Sequence, residues 1–250
     1  MKRRIQAEDG PPPPGFAATL DLQPLGRPAT FAAVIEALLK QPGRILHECK
    51  HGGGRVAVVL AVAAVLCLVV FGTLLGFFSG GTQHWAAPVK IVLGVVVSVV
   101  ICLPSLYIFS ALGGMDGRVW HVAGLLLATI ALTSVLLLGF APVVWIFSQS
   151  TESVAFMGFL ALAFWVISLF FGFRLLLGAA ARFGLTVNYY LVVWMGIFLV
   201  VTLQMSTALR PIIGTASTFL PTQKKFFLEH WFDEMNVEGG RSSSKTEQYR

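Results

Sequence analysis

Charged residues are scarce in this sequence. Asp, Glu, Lys and Arg make up 12% of its 250 residues, about half the share found in a typical soluble domain. The charges concentrate towards the two termini and in short connections. Between them lie apolar stretches of about 20 residues or more, the length that a helix needs to cross a bilayer core of about 30 Å. This pattern excludes an ordinary soluble domain and indicates an integral membrane protein.

Cysteine is also scarce, with three residues at Cys49, Cys67 and Cys102. They show neither a CxxC motif nor a Cys/His spacing typical of zinc sites, so we expect no disulfide framework and no metal. No phosphate-binding glycine loop is present, and we expect no cofactor. The N-terminal Lys and Arg precede a run of prolines rather than an apolar core, which is not typical of a cleavable signal peptide.

We predict an all-α integral membrane protein, a bundle of about five transmembrane helices with amphipathic helices before the first span and after the last. The five-span membrane domain covers residues 56–209, with predicted spans at 56–78, 88–111, 121–147, 154–178 and 188–209. Because the connections are short, neighbouring spans are expected to be antiparallel and adjacent. The absence of a convincing internal repeat argues against an inverted-repeat transporter.

Polar segments flank the predicted membrane domain. Residues 1–29 are a proline-rich tail that we expect to be disordered. In residues 30–55, apolar side chains recur at helical spacing: Phe31, Val34, Ile35, Leu38 and Leu39. They predict amphipathic helices that either lie in the headgroup layer or pack on the spans from the polar side. We expect residues 210–235 to form an amphipathic C-terminal segment and residues 236–250 a disordered tail.

The basic residues predict an orientation. Near the spans, one side of the predicted bundle carries Lys40, Arg44, Lys50, Arg55, Arg118 and Arg182, and the other side carries Lys90 and Arg210. The positive-inside rule then places the N-terminus in the cytoplasm, and an odd number of spans places the C-terminus outside. The net charge of +6 therefore serves orientation and lipid contact, and we expect no nucleic-acid partner.

Few residues inside the predicted spans could bind a solute or take part in a reaction. The predicted spans contain no Asp or Glu. Arg174 lies near the end of the fourth span and either snorkels to the interface or carries a functional charge. Gln204, in the fifth span, forms a hydrogen bond between helices or binds a substrate. Pro104, close to Tyr107, frees a backbone carbonyl and bends the second span, which shapes either the packing or a cavity.

Two further groups of residues have alternative interpretations. Arg210, Pro211 and Gly214 are expected to end the fifth span at the membrane boundary. His47 and His51 lie four residues apart, which is typical either of a metal site or of a surface histidine pair. The glycines after His51 argue against a fixed metal site. Without a Ser/His or paired-Asp arrangement at depth, we predict that the protein is not an enzyme.

Several motifs together resemble a known group of proteins. They are Ala87-Pro88-Val89-Lys90, Leu103-Pro104-Ser105-Leu106-Tyr107, Gln204-Met205, Leu209-Arg210-Pro211-Ile212-Ile213-Gly214 and Phe226-Phe227. With them, residues 30–232 resemble uncharacterised bacterial membrane proteins placed near the Yip-type five-span membrane family. The resemblance implies a five-helix bundle with a cytoplasmic N-terminal region in the bacterial cytoplasmic (inner) membrane. It implies no catalytic activity.

Two functions are compatible with these features. The first is a non-enzymatic scaffold or subunit of a membrane complex, whose partners are the lipid bilayer and a membrane protein or a second copy of the chain. Gly72, Gly76 and Gly80 support it, because a stripe of small residues lets another helix approach closely. The alternative is a channel or transporter for a small solute, with a path along Pro104, Tyr107, Pro142, Arg174 and Gln204.

Overall fold

The computed structural model describes residues 24–25, 30–79, 83–115, 117–151, 153–185 and 188–208. In these ranges the regular structure is entirely helical, which confirms the all-α prediction. The seven helices are α1 (Phe31–Lys40), α2 (Pro42–His51), α3 (Gly54–Ser79), α4 (Gln83–Leu112), α5 (Val119–Ser150), α6 (Val154–Arg182) and α7 (Asn188–Ala208). The predicted segments 210–235 and 236–250 and nearly all of the tail 1–29 lie outside the described residues.

Four helices are long and apolar enough to cross a membrane. Their apolar stretches are Gly54–Phe78, Trp85–Leu112, Val119–Ser150 and Phe156–Arg182, with 25, 28, 32 and 27 residues. At 1.5 Å per residue each is about 37 Å or longer, which exceeds the hydrocarbon core of about 30 Å. These helices indicate an integral membrane protein. The apolar stretch of α7, Tyr189–Met205, is shorter, so the fifth crossing stays a prediction.

The two helices that contain interior prolines run on through them. Pro88 and Pro104 lie inside α4, and Pro142 lies inside α5. Each proline lacks a backbone N–H and so removes one hydrogen bond from the helix. Neighbouring helices compensate for such losses in membrane proteins, which is why proline is tolerated there. Because the helix continues through Pro88, α4 begins at Gln83, before the predicted start of the second span at residue 88.

Helix α5 lies at the centre of the bundle. It packs extensively against α3 and α6, while α3 also packs against α4, and α4 against α7. Its buried face includes Gly124, Leu125, Ala128, Thr129 and Leu132. Helices α6 and α7 contact each other only slightly. The chain therefore winds around α3 and α5, and α4, α6 and α7 are left with broad outward faces.

Glycines set the closest helix approaches. A Cβ atom added at Gly72 of α3 would lie 2.6 Å from the Cα atom of Pro88 in α4. The structure thus has, at Gly72, the close approach predicted for the small-residue stripe. Gly172 of α6 occupies a similar position against Thr133 and the backbone of Thr129 in α5. Close backbone approach increases van der Waals contact, which drives helix association in membranes.

Helices α1 and α2 pack on one end of the bundle. Thr30 caps α1 by accepting a hydrogen bond from the Ala33 N–H at 3.4 Å. The side chains that these two helices bury share one apolar core with α3 and α5: Val34, Leu38, Ile45 and Leu46 with Leu60 and Leu126. Of the two arrangements that the sequence left open, packing on the spans is therefore present in the structure.

The short connections give the bundle two distinct ends. The capped end carries α1 and α2, the connection from α4 to α5 and the C-terminus of α6, and the open end lies opposite. Exposed aromatic rings mark both ends: Trp120 and Tyr189 at the capped end, Trp85 and Trp145 at the open end. Trp120 and Trp145 are about 37 Å apart along α5. Tryptophan favours the membrane interface, so this spacing fits a bilayer between the two ends.

The contact at Gly72 can be tested by adding a single methyl group. Gly72→Ala should destabilise the protein by about 1–3 kcal/mol, because the new Cβ would overlap the Pro88 backbone. Gly139→Ala is the matched control. Nothing lies within 4 Å of the added Cβ there, so alanine should be neutral or stabilise the helix by up to about 1 kcal/mol. Unfolding in mixed detergent micelles measures both effects, and equal stabilities would contradict the packing.

Candidate functional site

The structure places the predicted path residues on the outside of the bundle. Pro104 and Tyr107 on α4, Arg174 on α6 and Gln204 on α7 are all exposed. Pro142 on α5 is exposed as well. These side chains therefore do not converge on the interior. Arg210, Pro211 and Gly214 lie outside the described residues, so their predicted role stays a prediction.

A hydrogen-bonded junction joins α7 to α4 behind Pro104. Trp194 is fully buried, and its indole N–H donates to the Cys102 carbonyl oxygen at 3.2 Å and to the Ser105 hydroxyl oxygen at 3.0 Å. The Ser105 hydroxyl itself donates to the Cys102 carbonyl at 2.8 Å. The Trp194 ring also stacks on Phe198, with 5.3 Å between ring centroids. This junction fixes the position of α7 against α4.

Trp194 belongs to none of the motifs predicted from the sequence. Its position in the sequence is unusual. Tryptophan in a membrane helix favours the interface, whereas Trp194 lies about two turns inside α7. A buried indole N–H needs an acceptor, and Ser105 supplies one. The predicted motif Leu103–Tyr107 thus contributes through Ser105, while its proline and tyrosine face outwards.

The buried hydroxyl groups are mostly used within their own helices. Several donate to the carbonyl oxygen four residues earlier, at 2.7–2.9 Å: Ser98, Thr129, Thr133, Ser134 and Thr202. Such bonds satisfy the hydroxyl without a second helix or a ligand. The Ser168 hydroxyl oxygen is buried and has no hydrogen-bond partner. The described interior therefore offers a solute few free polar groups.

Lys90, one of the two basic residues predicted on the side opposite the N-terminus, is buried. Its side chain is only 1% exposed and lies inside the bundle in α4. Lys90 follows the start of α4 at Gln83 by about 10 Å along the helix axis. An ionisable group buried at this depth is typical of functional positions in membrane proteins. The sequence showed this signal, because Lys90 falls within the predicted span 88–111.

At the capped end, α2 contacts both α5 and α6. A Cβ added at Gly124 of α5 would lie 2.9 Å from the Cβ of Cys49, so the Cys49 side chain packs directly on the α5 backbone. The Lys50 ammonium lies 5.6 Å from the centre of the Phe183 ring at the end of α6. His121 of α5 contacts the same ring. A cation over an aromatic face is attracted to it, so Phe183 links α2, α5 and α6.

The Cys49 thiol is a poor nucleophile. Burial, aided by the Glu48 carboxylate, raises the pKa of Cys49 to about 11 from its ordinary 9.0. A thiol must ionise to react. The described residues contain no group of three or more His, Cys, Asp and Glu that could hold a metal ion. The His47 and His51 rings stack on each other at 4.1 Å, with His51 exposed and His47 half-buried.

Two polar atoms of α2 are buried without a partner. They are Nε of Arg44 and Nδ1 of His47. The two residues are three positions apart and lie next to each other on the helix surface. Buried polar atoms without hydrogen bonds are rare in proteins. This pair is the least satisfied polar cluster among the described residues.

No family model, no curated protein and no solved structure matches this chain. The resemblance to the Yip-type membrane family therefore stays a prediction from the motifs.

The junction at Trp194 predicts a graded response to substitution. Trp194→Phe keeps an aromatic ring but removes the donor, and it should cost about 1 kcal/mol of unfolding free energy. Trp194→Ala also empties the site and should cost about 3–5 kcal/mol. Trp120→Phe, at a position 81% exposed, is the control and should change little. If all three variants unfolded alike in mixed micelles, the junction would not hold α7.

The protonated Cys49 thiol predicts slow alkylation. In a variant with Cys67→Ala and Cys102→Ala, about one Cys49 thiol in a thousand is ionised at pH 8. A water-soluble maleimide should therefore react far more slowly than with Lys50→Cys in a background lacking the native cysteines. Because burial raises the pKa of Cys49, folding favours the neutral thiol. The contribution of Cys49 to the stability of the fold is therefore complete below about pH 9 and is lost as the pH rises through about 11. Comparable rates at the two positions would show that Cys49 is accessible.

Proposed function

We propose that the protein is a non-enzymatic multi-pass membrane protein with five crossings, serving as a scaffold or subunit of a membrane complex. The observation that carries this proposal is the outward placement of Tyr107, Arg174 and Gln204. Polar side chains on the outside of a membrane bundle contact headgroups, a partner helix or a second copy of the chain. They do not line an interior path.

Gln204 is the residue most suited to a partner contact. It lies about one turn before the end of α7 at Ala208 and is exposed. An amide in hydrocarbon needs a hydrogen-bond partner, and a bond between membrane helices contributes about 0.6–2 kcal/mol. Arg174 has an alternative, because it lies about 12 Å from the end of α6 and its long side chain reaches towards the interface.

The packing of the interior supports the same proposal. In the described ranges, Lys90 is the one Asp, Glu, Lys or Arg residue that is buried. The buried hydroxyls largely bond within their own helices, as described above. A bundle filled in this way leaves its three outer helices, α4, α6 and α7, to make the functional contacts.

The proposal includes an orientation and a location. The capped end carries Arg44, Lys50, Arg55, Arg118 and Arg182. Under the positive-inside rule this end faces the cytoplasm, and the resemblance described above favours the bacterial inner membrane. The Yip-type assignment belongs to the same proposal.

Assembly in mild detergent tests the scaffold or subunit role. We expect the purified protein to have the mass of a defined homo-oligomer or of a stoichiometric complex with a membrane-protein partner, measured by light scattering. Gln204→Leu should weaken the assembly by about three- to thirtyfold, since it removes one hydrogen bond between helices. Val58→Leu, at an exposed position of α3, should leave it unchanged. A stable monomer without any partner would argue strongly against the proposal.

A small-solute channel or transporter is the second candidate, and the burial of Lys90 is the observation that favours it. Buried ionisable residues mark substrate and ion pathways in many membrane proteins. A buried ammonium group attracts anions, so an anion is the solute class that such a path would serve.

Chloride flux into reconstituted vesicles separates the two candidates. The scaffold proposal predicts no flux above that of protein-free vesicles, for the parent protein and for Lys90→Met. Flux that is lost in Lys90→Met and retained in Arg174→Ala and Gln204→Ala would instead establish a path at Lys90. The two outer variants serve as controls, because their side chains lie on the bundle surface.

A further inference from the structure

Helix α1 presents a second apolar stripe that the bundle does not cover. Val34, Ala37 and Leu38 are buried, whereas Phe31 and Leu39 are 48% and 49% exposed. Ile35 lies between these two at the i, i+4 spacing that aligns side chains along one face of a helix. The stripe is therefore next to the packed face and directed away from the core.

The capped end, which carries this stripe, is rich in basic side chains. They are Lys40, Arg44, Lys50, Arg55, Arg118 and Arg182. The two acidic side chains of α1 and α2 already have partners. Glu36 pairs with Lys40 at 2.8 Å, and Glu48 accepts a hydrogen bond from the Leu25 N–H at 3.3 Å. The described part of this end is therefore strongly cationic.

Exposed aromatic residues indicate the headgroup layer at the same end. Trp120 and Tyr189 lie near the starts of α5 and α7 and are highly exposed. Aromatic residues in such positions lie among lipid headgroups. Because α1 packs on this end of the bundle, its exposed apolar stripe and the cationic groups of this end match a phospholipid with an anionic headgroup.

The unpartnered atoms of α2 provide the second, independent observation. Nε of Arg44 and Nδ1 of His47 are shielded from solvent and lack hydrogen-bond partners. The two residues are three positions apart, a spacing that places them on one side of α2. The guanidinium is suited to phosphate, because its N–H groups match the spacing of phosphate oxygens. Arg44 is half-buried as a whole residue, so a movement of its side chain would bring the guanidinium to an oxygen acceptor at the surface.

We propose that the capped end binds an anionic phospholipid of the adjacent leaflet. The headgroup phosphate accepts hydrogen bonds from the Arg44 guanidinium and lies beside His47, and the upper part of the acyl chains covers Phe31, Ile35 and Leu39. Charge complementarity selects this occupant over a neutral lipid. The site does not depend on the scaffold role, because a transporter with the same cap would bind the same lipid.

Binding of a defined lipid to the full-length protein tests the site. Native mass spectrometry in neutral detergent should detect phosphatidylglycerol bound to the parent protein at least about tenfold more tightly than phosphatidylcholine. Arg44→Gln should remove most of this preference. Arg55→Gln makes the same change of charge at an exposed position at the start of α3 and should retain it.

Three results would overturn the proposal. One is equal binding of the two lipids. Another is an equal loss in Arg44→Gln and Arg55→Gln, which indicates diffuse attraction rather than a site. The third is competition by millimolar inorganic phosphate, which indicates a site for free anions. Equal thermal stability of the two variants in phosphatidylcholine shows that neither result reflects misfolding.

Spin-label accessibility tests the apolar stripe separately. In a background without native cysteines, a nitroxide at Leu39→Cys should be accessible to oxygen, which partitions into lipid, when the protein is in phosphatidylglycerol nanodiscs. A nitroxide at Glu36→Cys, on the adjacent charged face of α1, should instead be accessible to a water-soluble nickel reagent. If both labels were water-accessible, the stripe would not contact lipid.

Discussion

The hydrocarbon core of a membrane offers no hydrogen-bond partner to the peptide backbone, and the structure of this chain depends on that constraint. Each unsatisfied N–H or C=O there costs several kcal/mol, so a crossing segment must satisfy its own backbone as a helix. The same constraint explains why buried hydroxyls such as Thr129 and Ser134 bond to carbonyl groups of their own helix. It also explains why the indole N–H of Trp194 has two acceptors in α4.

Association between such helices needs a source of energy other than hydrophobic burial. Lipid tails are as apolar as leucine, so close packing has to supply it. In this bundle the close approaches are made by glycine: Gly72 against α4, Gly172 against α5, and Gly124 beneath the Cys49 side chain. Two of the three involve α5, which is also the most buried of the long helices. Helix α5 thus connects the membrane-embedded part to the cap formed by α1 and α2.

Much of the fold follows from the sequence because apolar length is a strong signal for a crossing helix. The spans at 56–78, 121–147 and 154–178 correspond closely to α3, α5 and α6. The predicted second span, 88–111, lies within α4, which begins at Gln83 and continues through Pro88. The sequence identified the outer residues Pro104, Tyr107, Arg174 and Gln204 by type, but the face on which each lies depends on which helices pack together. The buried positions of Lys90 and Trp194 depend on the same pairing, which local periodicity does not contain.

We propose a five-crossing bundle whose capped, basic end lies in the cytoplasm. The most direct measurement fuses a pair of topology reporters, one active only in the cytoplasm and one active only outside it, to the chain after Arg250 and before Met1. We expect cytoplasmic activity at the N-terminus and external activity at the C-terminus. Cytoplasmic activity at both termini would show an even number of crossings and would contradict the five-crossing bundle.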